Sequence, residues 1–152
     1  MAKIFLIKDA QDFIGAEVTI NAWIANLRSS GSIAFLQLRD GSGFIQGVVL
    51  KNKVSEKVFL CVQKLTIESS VTIKGIIKEE KRSPTGYELT VTDLKIIQLV
   101  EEEYPIGKKD HGPDFLLSNR HLWLRSKRQW AIMRVRNNLI IAINDFLQKE
   151  NF

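Results

Sequence analysis

The chain has 152 residues, of which 45% are hydrophobic and 26% charged, a composition typical of a globular protein that buries a core. The single cysteine, Cys61, excludes an internal disulfide, and no run approaches the roughly 20 apolar residues that a membrane span needs. The apolar run at the N-terminus is too short for the core of a secretion signal, so we expect a soluble cytoplasmic protein. The net charge of +5 is only a weak indication of nucleic-acid binding, because mildly basic surfaces are common.

The first third of the chain has the alternating pattern of β-strands after one short helix. That helix is predicted over Lys8–Ile14, with Gly15 in the left-handed position that ends it. Apolar residues then recur at every second position in three predicted strands, which span Val18–Ile24, Ala34–Leu38 and Phe44–Leu50. Between these strands, residues 28–31 (RSSG) predict a polar turn and residues 40–43 (DGSG) a tight hairpin turn.

The following residues predict one helix and two further strands. Helical spacing of apolar residues predicts a helix over Val54–Leu65, and alternation predicts strands over Val71–Ile77 and Tyr87–Val91, the last prolonged past a bend to Val100. Five strands with one helix between the third and fourth is the order of the oligonucleotide-binding (OB) barrel, so we expect a mainly β OB-fold over residues 1–100. Another five-stranded barrel or an open antiparallel sheet is the alternative.

The C-terminal third lacks the strand alternation of the first 100 residues. Residues 101–119 show no periodicity and are predicted to be a linker. Residues 120–152 are predicted to open a second domain, with a long helix from Ser126 onward. The apolar stripe of this helix contains Ile132, Val135, Leu139, Ala142, Ile143 and Phe146. A stripe of that width needs another surface to cover it, so we expect either a further domain or a partner subunit.

A basic cluster lies around the start of the long helix. Its members are Arg120, Arg125, Lys127, Arg128, Arg134 and Arg136. These charges can meet phosphates, but such clusters more often line a solvated helix face or pair across a subunit interface.

Phe35 is the most informative single residue. The alternation of the second strand places Ala34, Leu36 and Leu38 in the core, and Phe35 then points outward beside Gln37. An outward aromatic ring on a barrel strand can stack on a base, an interaction worth about 1–3 kcal/mol. The alternative is that Phe35 packs beneath a loop or the linker.

Two further residues can join Phe35 on this face. The Gln46 amide, on the third strand, offers donors and an acceptor to a base edge, and Arg28, in the predicted turn, can stack on a base or pair with a phosphate. Taken singly, each is more commonly a solvated surface residue. Together, a flat ring, an amide and a guanidinium predict a nucleic-acid-binding face on one hairpin.

The turn over Arg82–Gly86 joins the fourth and fifth predicted strands, and the corresponding loop of OB barrels often contacts nucleic acid. Tyr87 and Glu88 follow the turn directly and are weaker candidates for reading a neighbouring base. The alternative is an ordinary turn followed by a solvated glutamate.

No catalytic constellation is recognisable in the sequence. His111 and His121, with one cysteine, do not have the spacing of a zinc site, and we expect no metal. We recognise no phosphate-binding loop, nucleophile elbow or paired carboxylates. The residues by themselves therefore favour a binding module.

Several segments resemble a known family. Residues 23–49, which include RSSG at 28–31, FLQLRDG at 35–41 and FIQG at 44–47, are similar to the anticodon-binding domain of class II aminoacyl-tRNA synthetases of the aspartyl, asparaginyl and lysyl group. Three later segments resemble the bacterial asparaginyl-tRNA synthetases; they are RSPTGYEL at 82–89, residues 104–116, and RHLWLRS at 120–126. The aspartyl and lysyl enzymes typically have a run like YLDLR where this chain has HLWLR, which favours the asparaginyl members.

The resemblance implies roles for individual residues. It implies that Phe35 stacks on the middle uridine of an anticodon, that Gln46 hydrogen-bonds the same base, and that Arg28 contacts the anticodon region. The loop that contains Ser83 and leads to Glu88 lies where the family reads the third anticodon base. The implied partner is a tRNA with a GUU anticodon.

The resemblance also implies a larger enzyme. The parent protein would be an asparagine–tRNA ligase, which activates asparagine with ATP and Mg²⁺ and attaches it to tRNA. The helix from Ser126 resembles the start of motif 1, which forms the homodimer interface of class II enzymes, and the sequence ends before that motif is complete. Motifs 2 and 3, which hold ATP, magnesium and the amino acid, are absent, so we expect no catalytic residue, no cofactor and no ligase activity in this chain alone.

Two other functions are compatible with the residues. A general single-strand-binding OB domain would bind any single strand with a steep dependence on salt. A protein-interaction domain would bind no nucleic acid and would use the apolar helix to recruit a protein.

Overall fold

The computed structural model of the chain describes residues 5–83, 85–107 and 109–152. The chain divides into two units, Met1–Tyr104 and Pro105–Phe152. The first unit is built around a β-barrel, and the second is helical.

The barrel unit confirms the predicted order of five strands with a helix between the third and fourth. Its elements are a 3-10 helix (Ile7–Phe13), β1 (Glu17–Ser30), β2 (Ile33–Arg39), β3 (Phe44–Leu50), α1 (Glu56–Gln63), β4 (Ser70–Glu79) and β5 (Tyr87–Gln98). The strands close in the order β1-β2-β3-β5-β4, with β3 and β5 parallel and the other pairs antiparallel. A closed barrel has no free sheet edge, so this fold needs no partner to complete its hydrogen-bond ladder.

Alternation along the strands builds the core, as the sequence predicts. In β2 and β3 every second residue is buried, and Ala34, Leu36 and Leu38 have no exposed surface. Helix α1 adds Val58 and Phe59 to the same apolar cluster. The strand residues between the buried ones therefore form the outer surface of the barrel.

Strand β1 bends at a β-bulge that changes which residues face the core. Its first half pairs with β4 and its second half with β2. The register moves by one residue between Ile24 and Asn26, so Ala25 is the extra residue. Before the bulge, Ile24 is fully buried; after it, Leu27 packs against the core and Arg28 is exposed.

One predicted turn is wrong. β1 continues through Arg28 as far as Ser30, so Arg28 lies in a strand and the turn itself is formed by Gly31 and Ser32. The polar end of β1 remains a strand because it pairs with β2 along its whole length, with Arg28 opposite Phe35.

The second unit contains α2 (Pro113–Ser118), α3 (Arg120–Trp123) and α4 (Lys127–Lys149). Helix α4 begins after Ser126, whose hydroxyl accepts a hydrogen bond from the Gln129 amide at 3.4 Å. Helix α2 lies inside residues 101–119, for which the sequence predicts only a linker, and it begins with a proline in its first turn. Within the parts of the chain described above, no helix is long and apolar enough to cross a bilayer.

A glycine in β4 gives a test of the barrel packing. A Cβ atom on Gly75 would lie 2.5 Å from the carbonyl oxygen of Thr90 and 2.9 Å from the Leu89 side chain. We therefore expect Gly75→Ala to lower the free energy of unfolding by about 3 kcal/mol, the upper end of the range for overpacked cores. Urea denaturation measures this loss.

Gly47→Ala is the matched control. For a Cβ on Gly47 the only tight contact would be the end of the Leu38 side chain at 3.3 Å, which can move aside, since Val91 and the Leu36 carbonyl oxygen lie at ordinary contact distances of 3.5 and 3.6 Å. The loss of stability is therefore expected to be smaller. Equal unfolding midpoints for the two variants would contradict this account of the barrel.

Candidate nucleic-acid interface

Strands β1, β2 and β3 form one outer face of the barrel. Cross-strand pairing places Phe35 between Arg28 on β1 and Val48 on β3. The neighbouring row pairs Gln37 with Gln46. The sheet register therefore brings the three predicted binding residues into two adjacent rows on the same face.

Arg28, Phe35 and Gln46 line one open depression of about 380 Å³, and Ser29 and Ser30 complete its wall. We call it the Phe35 depression. Its volume lies near the lower end of the roughly 300–1,000 Å³ of small-ligand sites. The sequence does not predict that the two serines contribute, because small hydroxyl side chains in a polar segment have no feature that indicates binding. The depression can hold one flat group against an aromatic ring.

The ring of Phe35 is half-buried and points outward, as the alternation predicts. Its neighbours Ala34 and Leu36 are fully buried, so turning the ring inward would expose the core. The barrel thus holds an apolar planar surface in the lining of the depression. Such a surface stacks on nucleobases with little dependence on their identity.

The two arginines of this outer face have different surroundings. Arg39 donates to both carboxylate oxygens of Glu68, at 2.8 and 2.7 Å, and its guanidinium lies 5.8 Å from the centre of the Trp23 ring. Arg28 is exposed and, among the residues that the structure describes, has no carboxylate within 4 Å. The Arg28 guanidinium is therefore available for a phosphate or a base, whereas that of Arg39 is committed to the barrel.

Gln46 is held by a residue from the fifth strand. Its Nε2 donates a hydrogen bond to Oε1 of Glu88 at 2.6 Å, and both side chains are half-buried. The two residues are partners in the parallel β3–β5 register. The structure thus brings Glu88, a weaker candidate from the sequence, onto the same face as Gln46.

The other two weaker candidates face elsewhere. Tyr87 precedes Glu88 on the strand and so points the other way, where it packs against the core and lines a separate depression of about 180 Å³. Ser83 is buried in the β4–β5 turn, and its hydroxyl donates to the Tyr87 carbonyl oxygen at 2.7 Å. Neither side chain lines the Phe35 depression.

The second unit contains the basic cluster. Two of its members stack on tryptophan rings of the same unit: Arg120 lies 5.0 Å from the Trp123 centroid and Arg134 lies 5.2 Å from that of Trp130. These contacts favour the interpretation that the charges line a helix surface. Over residues 5–83, 85–107 and 109–152, no three His, Cys, Asp or Glu side chains are grouped to hold a metal ion.

Comparison with known proteins identifies the family to which the fold belongs. Residues 18–97 match the model of a family described as an OB-fold nucleic acid binding domain, and the chain belongs to this tRNA anticodon-binding family. Over all 152 residues the chain is 51% identical to the asparagine–tRNA ligase of Lactobacillus johnsonii, and it spans 35% of the length of that relative.

Two solved structures agree with this assignment. The asparaginyl-tRNA synthetase of Pyrococcus horikoshii, complexed with asparaginyl-adenylate, has a TM-score of 0.89 and 36% identity, over 99% of this chain and 35% of the other. The aspartyl-tRNA synthetase of Entamoeba histolytica has a TM-score of 0.85 and 25% identity, over 99% of this chain and 38% of the other. The chain is thus homologous to the N-terminal region of asparagine–tRNA ligases, which confirms the resemblance seen in the sequence.

The arrangement of aromatic side chains predicts which of them matters for binding. We expect Phe35→Ala to weaken binding of a short uridine-containing single strand by about 5- to 150-fold, because a stacked base contributes about 1–3 kcal/mol. Fluorescence anisotropy with a labelled oligonucleotide measures the change. Tyr87→Leu, which alters the core-facing aromatic, is the control and should leave the affinity within about twofold once folding is verified. Equal losses in both variants would contradict the assignment.

Proposed function

We propose that the chain reads the anticodon of a tRNA for asparagine, with the Phe35 depression as the reading site, within a cytoplasmic asparagine–tRNA ligase. The observation that carries the proposal is the convergence of a planar ring, an amide and an available guanidinium on one outer face of an OB barrel. The 51% identity to an asparagine–tRNA ligase over the whole chain supports the choice of amino acid.

Each of the three side chains supplies a different part of recognition. Proteins recognise RNA sequence mainly at unpaired bases, which can be stacked on aromatic rings and read along their hydrogen-bonding edges. In this proposal the middle anticodon base stacks on Phe35 and is read by Gln46. Arg28, at the rim of the depression, pairs with a phosphate or stacks on an adjacent base.

In the proposed ligase this chain contributes to catalysis by positioning the tRNA. The chain spans 35% of the length of the Lactobacillus johnsonii relative, so we assign ATP, Mg²⁺ and the transfer of asparagine to the remainder of such an enzyme. Binding energy from a part of the substrate remote from the reacting atoms can be used to hold the acceptor end of the tRNA in the reactive position. Loss of anticodon contacts would then lower the rate of the full ligase as well as its affinity for tRNA.

Binding to matched anticodon stem-loops tests this function. We expect the chain to bind a stem-loop with a GUU anticodon at least about 10-fold more tightly than the same loop with its middle uridine replaced by cytidine, at fixed near-physiological salt. Phe35→Ala should weaken binding to both loops, because stacking does not depend on the identity of the base. Equal binding of the two loops, with a steep salt dependence, would instead identify a general single-strand-binding barrel.

We also propose that α4 forms a homodimer interface in the full-length ligase. Its large apolar side chains are exposed at positions three and four residues apart, and they include Ile132, Val135, Leu139, Ile143 and Phe146. Side chains with this spacing form one stripe along a helix, and a stripe of this size is normally covered by another surface. A second copy of the same helix supplies such a surface in a twofold dimer.

The exposed stripe predicts that the chain self-associates. Light scattering over a range of concentrations should show an increase in mass, and Leu139→Glu, in the middle of the stripe, should suppress it by placing a charge in the interface. Asn137→Glu introduces the same charge on the opposite side of the helix and should leave association unchanged. A monomer at all concentrations would contradict the proposed interface.

A further inference from the structure

We propose that Glu88 is a positioning residue that fixes the orientation of the Gln46 amide. This orientation makes the Phe35 depression select uridine over cytidine. The inference rests on the proposed anticodon-reading function and deepens it. It assigns Glu88 a role different from the one that its place beside the β4–β5 turn predicts, which is direct contact with a neighbouring base.

The contact between the two side chains is short and is supported by the backbone. Nε2 of Gln46 lies 2.6 Å from Oε1 of Glu88, at the short limit for a hydrogen bond from an amide to a carboxylate. The two residues are directly paired in the parallel ladder that closes the barrel between β3 and β5. Both residues are half-buried, so this hydrogen bond is partly shielded from water. The position of Glu88 is therefore fixed by its pairing in the barrel, with Gln46 on one side and Lys78 on the other.

The chemistry of the two groups determines the polarity of the contact. A glutamine amide has nearly the same shape in both orientations, but one end donates hydrogen bonds and the other accepts them. A carboxylate accepts hydrogen bonds and donates none, so only the NH₂ end of Gln46 can face Glu88. The carbonyl oxygen Oε1 of Gln46 is then directed away from Glu88, and one N–H remains available. Without the carboxylate, the terminal torsion of a glutamine has two nearly equivalent orientations.

A fixed orientation of the Gln46 amide makes it selective between uracil and cytosine. At ring position 3, uracil has an N–H donor beside a carbonyl acceptor, whereas cytosine has a bare nitrogen acceptor beside an amino donor. A glutamine that turns over freely can satisfy either pattern. A glutamine fixed with its carbonyl oxygen at position 3 of the base and its N–H at position 4 pairs with uracil and places like groups against cytosine. The proposal requires this orientation of the bound base. Stacking on Phe35 restricts the base to one plane, so the mismatch cannot be avoided by tilting.

The other charged side chain in the same row is Lys78. It is the β4 partner of Glu88 in the sheet register and is exposed. A lysine in this position contributes a charge near the carboxylate but cannot replace it as an acceptor. Neutralising Lys78 therefore shows whether a change of one charge in this row, opposite in sign to that of Glu88→Gln, alters the base preference.

The experiment compares the full chain and its variants on three anticodon stem-loops. These carry GUU, the same loop with cytidine at the middle position, and the same loop with cytidine at the third position. Glu88→Gln preserves the shape of the side chain but can donate as well as accept, so it allows Gln46 to turn over. We expect this variant to reduce the uridine-to-cytidine preference at the middle position by about 10-fold, mainly by binding the cytidine loop more tightly, and to leave discrimination at the third position unchanged.

Three controls separate the possible outcomes. Lys78→Gln should leave the middle-position preference unchanged, and Glu88→Ala should lower it in the same direction as Glu88→Gln, with thermal melting to verify folding. In a Gln46→Leu background, Glu88→Gln should have no further effect on this preference, because there is no amide left to orient. A persistent effect in that background, or a change confined to the third position, would show that Glu88 contacts a base directly and would overturn the inference.

Failure of the underlying function gives a different result. If the unmodified chain binds all three loops equally, the proposed anticodon reading is wrong, and the positioning role is wrong with it. If the unmodified chain prefers GUU and Glu88→Gln retains the full middle-position preference, anticodon reading stands and only the positioning role is overturned.

Discussion

The geometry of the outer face depends on one extra residue in β1. Side chains alternate along a strand, so a single inserted residue exchanges the two faces for everything beyond it. The buried positions of β1 are even-numbered as far as Ile24, and strict alternation would carry that parity on to Arg28 and direct a guanidinium into the core. The bulge at Ala25 lets Leu27 take the inward position and leaves Arg28 in solvent opposite Phe35. Because burying an unpaired charge costs several kcal/mol, the bulge makes an apolar core and a cationic rim compatible on one strand.

The two arginines of this face differ in their pairing. The guanidinium of Arg39 is bound within the barrel, whereas that of Arg28 is available to a ligand. Arg39 is engaged by both oxygens of Glu68, which has a positive φ of 68° and is held there although glutamate rarely adopts that conformation. Removing one partner of such a buried pair usually lowers stability by more than the intact pair contributes. Substitution of either residue is therefore expected to destabilise the barrel. Arg28 has no carboxylate partner within the described part of the chain and lies beside an open depression. The contrast shows that basic residues on a barrel surface are not equivalent candidates for RNA contact.

The sequence predicts the parts of this arrangement that follow from local periodicity. The outward direction of Phe35 follows from the buried neighbours on β2, and the same alternation applied to β5 would have directed Tyr87 toward the core with Leu89. The bulge has no comparable local signal. Arg28 is predicted in a turn because the RSSG run is polar, and it is found in a strand because that run pairs with β2. The contact between Gln46 and Glu88 joins residues 42 positions apart through the only parallel strand pair among the described strands, and no local pattern specifies such a register. Helix α2 has a local signal, a proline in its first turn, but the absence of apolar periodicity around it favours a linker.

In the proposed anticodon recognition, affinity and base selectivity come from different side chains. Stacking on Phe35 contributes to every base, because every base has a π-face, and so it contributes affinity without selectivity. An amide contributes little net affinity in water, since it exchanges one hydrogen-bond partner for another, but it penalises the wrong pattern by leaving groups unpaired. Selectivity therefore requires that the amide cannot turn over, and a carboxylate fixed in the adjacent strand is a simple way to ensure this. On this argument the two functions can evolve separately: changes at the ring alter how tightly the loop is held, whereas changes at Gln46 or Glu88 alter which base is accepted.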